Sequence, residues 1–432
     1  MNDPSKEQSA SGLNTTSGIN INLTISKQEK EILRTLAMKM AEIAAEPLEK
    51  EKAKAWRNLN MLQPERPLIF CDPENGWNEI ITREHIKCAS PIARVWEMYL
   101  RKEIFWAEKM KDDKVIEAFF NIPYHYSDSG YGIKEEDKVT GGDDGSFKYL
   151  SHLKDYEKDF EKLRFPEISI DLEKTNQVKA LAEDILGDIL TVRIKGVWWW
   201  TLGMTWDFIK IRGLENLMTD LLVQPNWVHR MMGFLRDATL YKLEYLEKNN
   251  LLSLNNDGTY VGSGGFGWTD ELPSPGHEPG QPRLIDLWGF AESQETVGID
   301  PSLFNEFILP YQKPVLEKFG LNCYGCCEPL DIRWEYVKTI PRLRRVSVSP
   351  WANFQTMSEY LGKEYIFSRK PSPTDLAVPN PDWEKIRKEL REFFRVARDN
   401  NVEIIMKDNH TLGKNPDNAI TWCRIAREES MI

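Results

Sequence analysis

The feature that most constrains this chain is a rhythm of short apolar runs, each of strand length, separated by longer amphipathic segments. The runs are Pro67–Cys71, Leu190–Ile194, Leu251–Asn255, Leu284–Phe290, Leu321–Tyr324, Arg345–Ser349, Glu364–Ser368 and Val402–Lys407. The segments between most of them, such as Pro225–Glu247 and Asp382–Asn400, carry apolar residues at helical spacing. Strands that alternate with helices must lie parallel if the helices are to cover both faces of one sheet. Eight such units predict a closed (β/α)₈ TIM barrel, with an open doubly wound sheet as the competitor. No GxGxxG or GxxxxGK[ST] pattern follows any run, so the dinucleotide and nucleotide versions of the open sheet are disfavoured. Gly262-Ser263-Gly264-Gly265-Phe266-Gly267 precedes no convincing helix and predicts a flexible loop.

The flanking segments are of a different kind. Residues 1–23 are rich in Ser, Asn, Thr and Gly without apolar periodicity and read as a disordered tail. Ser26-Lys27-Gln28-Glu29 is a capping box that opens an N-terminal helical extension over 24–65. Ser90-Pro91 announces a further helix inside 72–189, which reads as a long insertion after the first strand and contains a long polar surface excursion from about Tyr124 to Tyr149, including Gly141–Gly145. Residues 24–432 then form a single barrel domain. With 56 Lys+Arg against 67 Asp+Glu the net charge is −11, which argues against nucleic acid or anionic lipid as partners. No apolar run reaches the roughly 18 residues a membrane helix needs, and a cytoplasmic enzyme is expected. Six cysteines in so long a chain are not a disulfide scaffold, and the crowding of Cys323, Cys326 and Cys327 suggests a thiolate site.

In a TIM barrel the chemistry sits past the C-terminal ends of the strands. Reading just beyond the runs gives Asp72 and Glu74, then Asn256 and Asp257, Glu292 and Glu295, Cys326 to Glu328, Trp351, Arg369 and Lys370, and finally Asp408 and His410. Thiol, carboxylate and imidazole at Cys326, Glu328 and His410 suit zinc with one position left open for substrate. Glu292 and Glu295 could ligate that metal, position a proton or cap the next segment. Fifteen tryptophans, three of them consecutive at Trp198–Trp200, cannot all face one way, so an aromatic-lined pocket for a flat substrate is expected.

Several stretches resemble the uroporphyrinogen decarboxylase superfamily. They are Trp198–Asp207, Gly213–Leu217, Leu222–Pro225, Glu292–Glu295 with Gly298–Tyr311, and the region from Cys326 to Asn415–Ala419. The resemblance implies a (β/α)₈ barrel and one of two activities, decarboxylation or zinc-dependent methyl transfer to corrinoid proteins. Decarboxylases of the family carry an Arg-rich first segment for a polycarboxylate, whereas Asp72-Pro73-Glu74 is acidic here and would repel one. In the methyltransferase branch a His-x-Cys and a later Cys bind zinc. Tyr324-Gly325-Cys326 and His410 stand at those positions, so harder ligands complete the set, and Glu328 or Glu292 joins Cys326 and His410.

The resemblance therefore implies a zinc-dependent methyltransferase that moves a methyl group from an O-methyl donor, an aromatic methyl ether, to the cobalamin of a corrinoid protein. Glu292, Glu295 and Asp257 are the expected catalytic residues; Tyr324, Trp288, Trp351 and Asn256 are expected to hold the substrate. A homodimer is compatible with this reading. The alternatives are a uroporphyrinogen-type decarboxylase and a non-catalytic barrel that binds a small molecule or partner. The tail gives the first test: dilute protease should remove residues 1–23 without lowering the melting temperature, because they lack the apolar area to offset the entropy of ordering.

Overall fold

The computed structural model of the chain describes residues 23–133, 137–139 and 147–431. The expected tail lies outside them apart from Leu23, as do 134–136 and 140–146 of the expected surface excursion; the described parts of that excursion hold short antiparallel strands, Tyr126–Asp128 paired with Ile168–Ile170 and Asp137–Val139 paired with Phe147–Tyr149. Eight parallel strands carry the fold: β1 (Leu68–Cys71), β2 (Phe119–Ile122), β3 (Thr191–Ile194), β4 (Trp288–Ala291), β5 (Leu321–Tyr324), β6 (Leu343–Val348), β7 (Ile366–Arg369) and β8 (Asn401–Met406). Six of them form one parallel sheet in the order β1-β8-β7-β6-β5-β4, while β2 and β3 form a separate parallel pair. β1, β4, β5 and β8 are buried at every position, as parallel strands covered on both faces should be. A closed ring of strand ladders is not present among the described residues. The fold is mixed α/β around a largely parallel central sheet.

Two differences from the sequence expectation have local physical causes. Phe119–Ile122 pairs in register with Thr191–Ile194, so a strand lies inside the segment read as an insertion. Leu251–Asn255 joins no ladder, because side chains take the place of ladder bonds on both its sides. Asn255 donates from Nδ2 to the Trp288 carbonyl at 3.0 Å and accepts the Trp288 N–H at 2.9 Å. Gly196 N–H donates to Ser253 Oγ at 2.9 Å, and Trp198 Nε1 donates to the Leu251 carbonyl at 2.8 Å. The seam between β3 and β4 is therefore stitched by side chains. The run Leu284–Phe290 is also shorter as a strand than expected, since Leu284–Asp286 is a 3₁₀ turn fixed by Arg283 and the buried Asp286 at 2.8 Å.

The helices follow their capping chemistry. Ser26 and Glu29 cap the helix Lys27–Ala44 reciprocally, and the Glu29 carboxylate also accepts from Ala89 and Ser90 N–H at 2.9 and 2.7 Å, tying this helix to the start of Pro91–Phe105. The amphipathic segment between β4 and β5 forms two helical pieces, Pro301–Phe307 and Leu309–Leu316, with Pro310 just past the break.

The glycine-rich stretch 262–267 is packed, not loose. A Cβ on Gly264 would stand 2.1 Å from Arg345 Cδ, and one on Gly265 2.3 Å from Trp56 Cζ3. The loop lies against the fully buried ion pair between Arg345 Nε on β6 and Glu403 Oε1 on β8, 3.2 Å apart. Gly265 N–H donates to Glu403 at 2.8 Å, and Arg345 donates to Asn60 Oδ1 and to the Phe266 carbonyl. Breaking one member of such a pair leaves an uncompensated buried charge. Glu403→Gln should cost about 3–5 kcal/mol in urea unfolding, and adding Arg345→Met should recover part of the loss. An unchanged urea midpoint in Glu403→Gln would show that the pair carries no structural weight.

Candidate functional site

Two groups of side chains meet at the C-terminal ends of the strands. The first follows β4 and β5. Glu292 and Glu328 are fully buried, and Glu328 accepts the Ser293 and Cys326 N–H groups at 2.9 and 3.0 Å, pinning the two loops together. Glu292 accepts the Gln294 N–H at 2.8 Å through Oε2, while its Oε1 is buried without a hydrogen-bond partner. Burial, and then the nearby Glu295, Glu328 and Cys326, hold the Glu292 carboxyl well above the usual range, which favours its neutral form. Burial also raises Glu295, which accepts from Thr205 Oγ1 at 2.7 Å. The Cys326 thiol receives a hydrogen bond from Ser263 Oγ at 3.0 Å and lies 3.7 Å from Cys327 Sγ. Cys327, followed by burial, pushes the Cys326 thiol upward.

The residues behind this rim were not anticipated. Tyr324, fully buried, donates to Gln312 Oε1 at 2.8 Å, and Gln312 donates in turn to the Gly203 and Glu292 carbonyls. Arg333 is 1% exposed and donates to Ser293 Oγ at 2.9 Å. This network fixes the Glu292 backbone from behind, and Tyr324 belongs to it, away from the cavity described below. Neither Gln312 nor Arg333 stands near a strand end in the sequence, so reading past the strands could not find them.

Across the rim, Lys407 Nζ lies 3.3 Å from Glu74 and 3.6 Å from Asp408. Burial pushes Glu74 up to about 7 against the pull of Lys407. His410, assigned to the metal, is exposed, and its Nδ1 lies 3.5 Å from Asn75 Nδ2. Among the described residues no group of three or more His, Cys, Asp or Glu side chains gathers closely enough to hold a metal ion. The Glu328 carboxylate is committed to two backbone amides, and His410 is turned to solvent. Cys326, Glu328 and His410 as placed do not fit a zinc site.

The second group surrounds the seam. A cavity of about 280 Å³ opens between β3 and β4, lined by Tyr124, Tyr126, Trp198, Trp199, Trp200, Tyr260, Trp288 and Phe290, with Lys195, Asn255 and Thr259 among them. Tyr124 stacks on Trp198 at 5.3 Å, and Trp200 meets Phe290 edge-on at 5.8 Å. The consecutive tryptophans thus do line a pocket. Trp288 lines it too, beneath Arg345 at 4.9 Å. Asp257 stands with this group and not with Glu292: it accepts from Lys195 Nζ at 2.6 Å, from Arg193 at 3.0 Å and from Thr259 Oγ1. Asn256 donates to the Leu272 carbonyl at 2.6 Å and is not among the lining residues, and Trp351 is 75% exposed, away from the cavity.

No protein-family model and no curated protein matches the chain. Among solved structures it is similar to a methyltransferase from Methanosarcina mazei, at 10% sequence identity and a TM-score of 0.49, over 88% of this chain and 99% of that one. No helix among the described residues is long and apolar enough to cross a membrane.

The buried acid gives a pH test. The folded state holds a proton on Glu292 that the unfolded chain releases above about pH 4.3, so this group's contribution to stability falls as pH rises from there. Glu292→Gln removes the penalty. The variant should gain stability relative to wild type progressively as pH rises from about 4 to 8, and show little difference at about pH 4. Equal urea midpoints at pH 8 would refute a buried neutral carboxyl.

Proposed function

We propose that this protein is a methyltransferase that takes the methyl group of an aromatic methyl ether and gives it to a nucleophile supplied from outside the chain. The observation that carries the reading is the aromatic cavity at the seam, which has the room and the ring faces for one substituted benzene and a single ammonium, Lys195, at its polar side. Indole and phenol faces would hold the ring, and Trp200 and Phe290 would orient it by edge contacts. Lys195 donates twice to Asp257, which leaves its third N–H for an ether oxygen. As the C–O bond breaks, negative charge grows on that oxygen. A fixed ammonium in a site sheltered from water stabilises it, and Asp257 keeps the ammonium in place.

The acceptor is expected to be external, since five of the chain's six thiols, all but the half-buried Cys327, are poorly suited. Cys71, Cys88, Cys323, Cys326 and Cys423 are buried, and their thiols are pushed upward, mainly by burial or a neighbouring thiol. A reduced corrinoid on a partner protein would supply the nucleophile that takes the methyl group. Because the trio expected to bind zinc does not converge, the charge on the leaving oxygen is assigned to Lys195 and not to a metal. The buried rim around Glu292 and Cys326 would then shape the mouth that the partner must approach.

A panel of methoxybenzenes with a reduced corrinoid protein tests this, followed by loss of the cob(I)alamin absorbance and release of the phenol. Turnover of at least one donor is expected. Lys195→Met should lower kcat by about 10²–10³-fold, and Trp200→Ala should raise KM by roughly 3–10-fold with a smaller effect on kcat. No turnover with any methoxybenzene and an active partner would end the aromatic-ether reading.

A further inference from the structure

Lys195, Val197, Thr259 and Tyr260 separate the aromatic cavity from an adjoining chamber of about 70 Å³, which they also line and which the mechanism above does not use. Its walls carry charge. Lys114 pairs with Glu103 at 2.8 Å, and Arg193 and Lys195 pair with Asp257 at 3.0 and 2.6 Å. Each cation facing the chamber therefore already has a carboxylate. Two polar groups do not have partners of this kind. Glu117, which lines the chamber, makes no hydrogen bond or ion pair among the described residues, and its position depends on Gly258, where a Cβ would stand 2.2 Å from Glu117 Oε2. The Tyr260 hydroxyl is buried and likewise has no hydrogen-bond partner.

We propose that this chamber is a recognition subsite for a neutral hydrogen-bond donor on the substrate's ring, a phenolic hydroxyl in the simplest case, which donates to the Glu117 carboxylate and accepts from the Tyr260 hydroxyl. The chemistry of the walls excludes the other substituent classes. A ring carboxylate would meet cations whose charge is already balanced by Glu103 and Asp257, and would face Glu117, Asp72 and Glu103. A quaternary ammonium would have to pass the Lys195 ammonium. An ether or methyl substituent would leave Glu117 and Tyr260 unpaired, a loss of the kind by which polar sites reject analogues that lack the matching group. Burial, with Asp257 next, pushes Glu117 up to about 7, so near neutral pH an ionised acceptor is still well populated. The inference rests on the preceding functional reading only for the identity of the ring. It narrows the substrates to methoxylated phenols.

Binding can be followed without turnover, through quenching of the cavity tryptophans by 2-methoxyphenol, methoxybenzene and benzoate. Wild type should bind 2-methoxyphenol roughly 10-fold or more tightly than methoxybenzene, because a hydrogen bond to a charged group is gained, and should bind benzoate most weakly. Glu117→Leu should abolish the preference for the phenol. Glu117→Gln, whose amide oxygen still accepts, should keep part of it, and Tyr260→Phe, which removes one atom, should reduce it several-fold. Thermal melts of each variant separate lost recognition from lost folding. Equal affinity of wild type for the phenol and the ether, no binding of either, or an undiminished preference in folded Glu117→Leu would overturn the subsite. If the preference holds but no methyl is transferred, the subsite stands and the methyltransferase reading falls.

Discussion

The interaction on which the architecture depends is the buried pair between Arg345 and Glu403. A charged pair inside a parallel sheet is costly to desolvate, and hydrogen bonds to its other atoms offset part of that cost, although Arg345 Nη1 and Glu403 Oε2 have no hydrogen-bond partner. Here the partners come from distant parts of the chain: Asn60 at the end of an N-terminal helix, and Gly265 and Phe266 from the glycine-rich loop. The pair thus draws the helical extension and the loop onto the strands, and the absence of side chains at Gly264 and Gly265 lets the loop approach. Val261 and Gly262, at the near end of that loop, line the aromatic cavity. The cavity's shape consequently rests on electrostatics satisfied several residues away.

The two polar groups at the strand ends have different characters. Around Glu292 and Cys326 the side chains are largely buried and engaged with backbone or with one another. This arrangement fixes loops. Around Lys195, Asp257 and Glu117 charge is present beside open space, the condition in which a fixed ammonium or carboxylate can act on a bound molecule. Both groups contain carboxyls with raised pKa values, so a perturbed acid alone does not mark the site. The adjoining cavity decides between them.

How much of this was legible in the sequence follows from the range of the interactions involved. The capping box at Ser26 and the proline start at Pro91 are local and were read correctly. Seven of the eight apolar runs contain strand residues, because parallel strands buried on both faces need continuous apolar stretches. Leu251–Asn255 was misread because Ser253, Asn255 and Trp198 replace its ladder bonds, and no periodicity reports that substitution. Phe119–Ile122 was missed because its mixed sequence offers no continuous apolar run. For the site, the Trp198–Trp200 run pointed to an aromatic cavity by composition alone. Glu117 could not be found by reading past strands, since it lies just before one that went unseen. The grouping of Cys326, Glu328 and His410 presumed that residues at neighbouring strand ends converge, whereas their side chains turn to backbone amides, to Ser263 and to solvent.

The side-chain stitching of the seam has a thermodynamic consequence for anything bound there. Ladder bonds between strands are cooperative, while Asn255, Ser253 and Trp198 each hold one point, so the two sides of the gap are coupled less tightly than neighbouring strands elsewhere in the sheet. A molecule in the cavity touches both sides, from Trp198 on one to Phe290 on the other. It acts as a missing rung. Its binding energy and the cohesion of the fold are linked quantities, so occupancy raises resistance to unfolding in proportion to the logarithm of ligand concentration. Any substitution that loosens the seam weakens affinity through the same coupling, without touching the ligand.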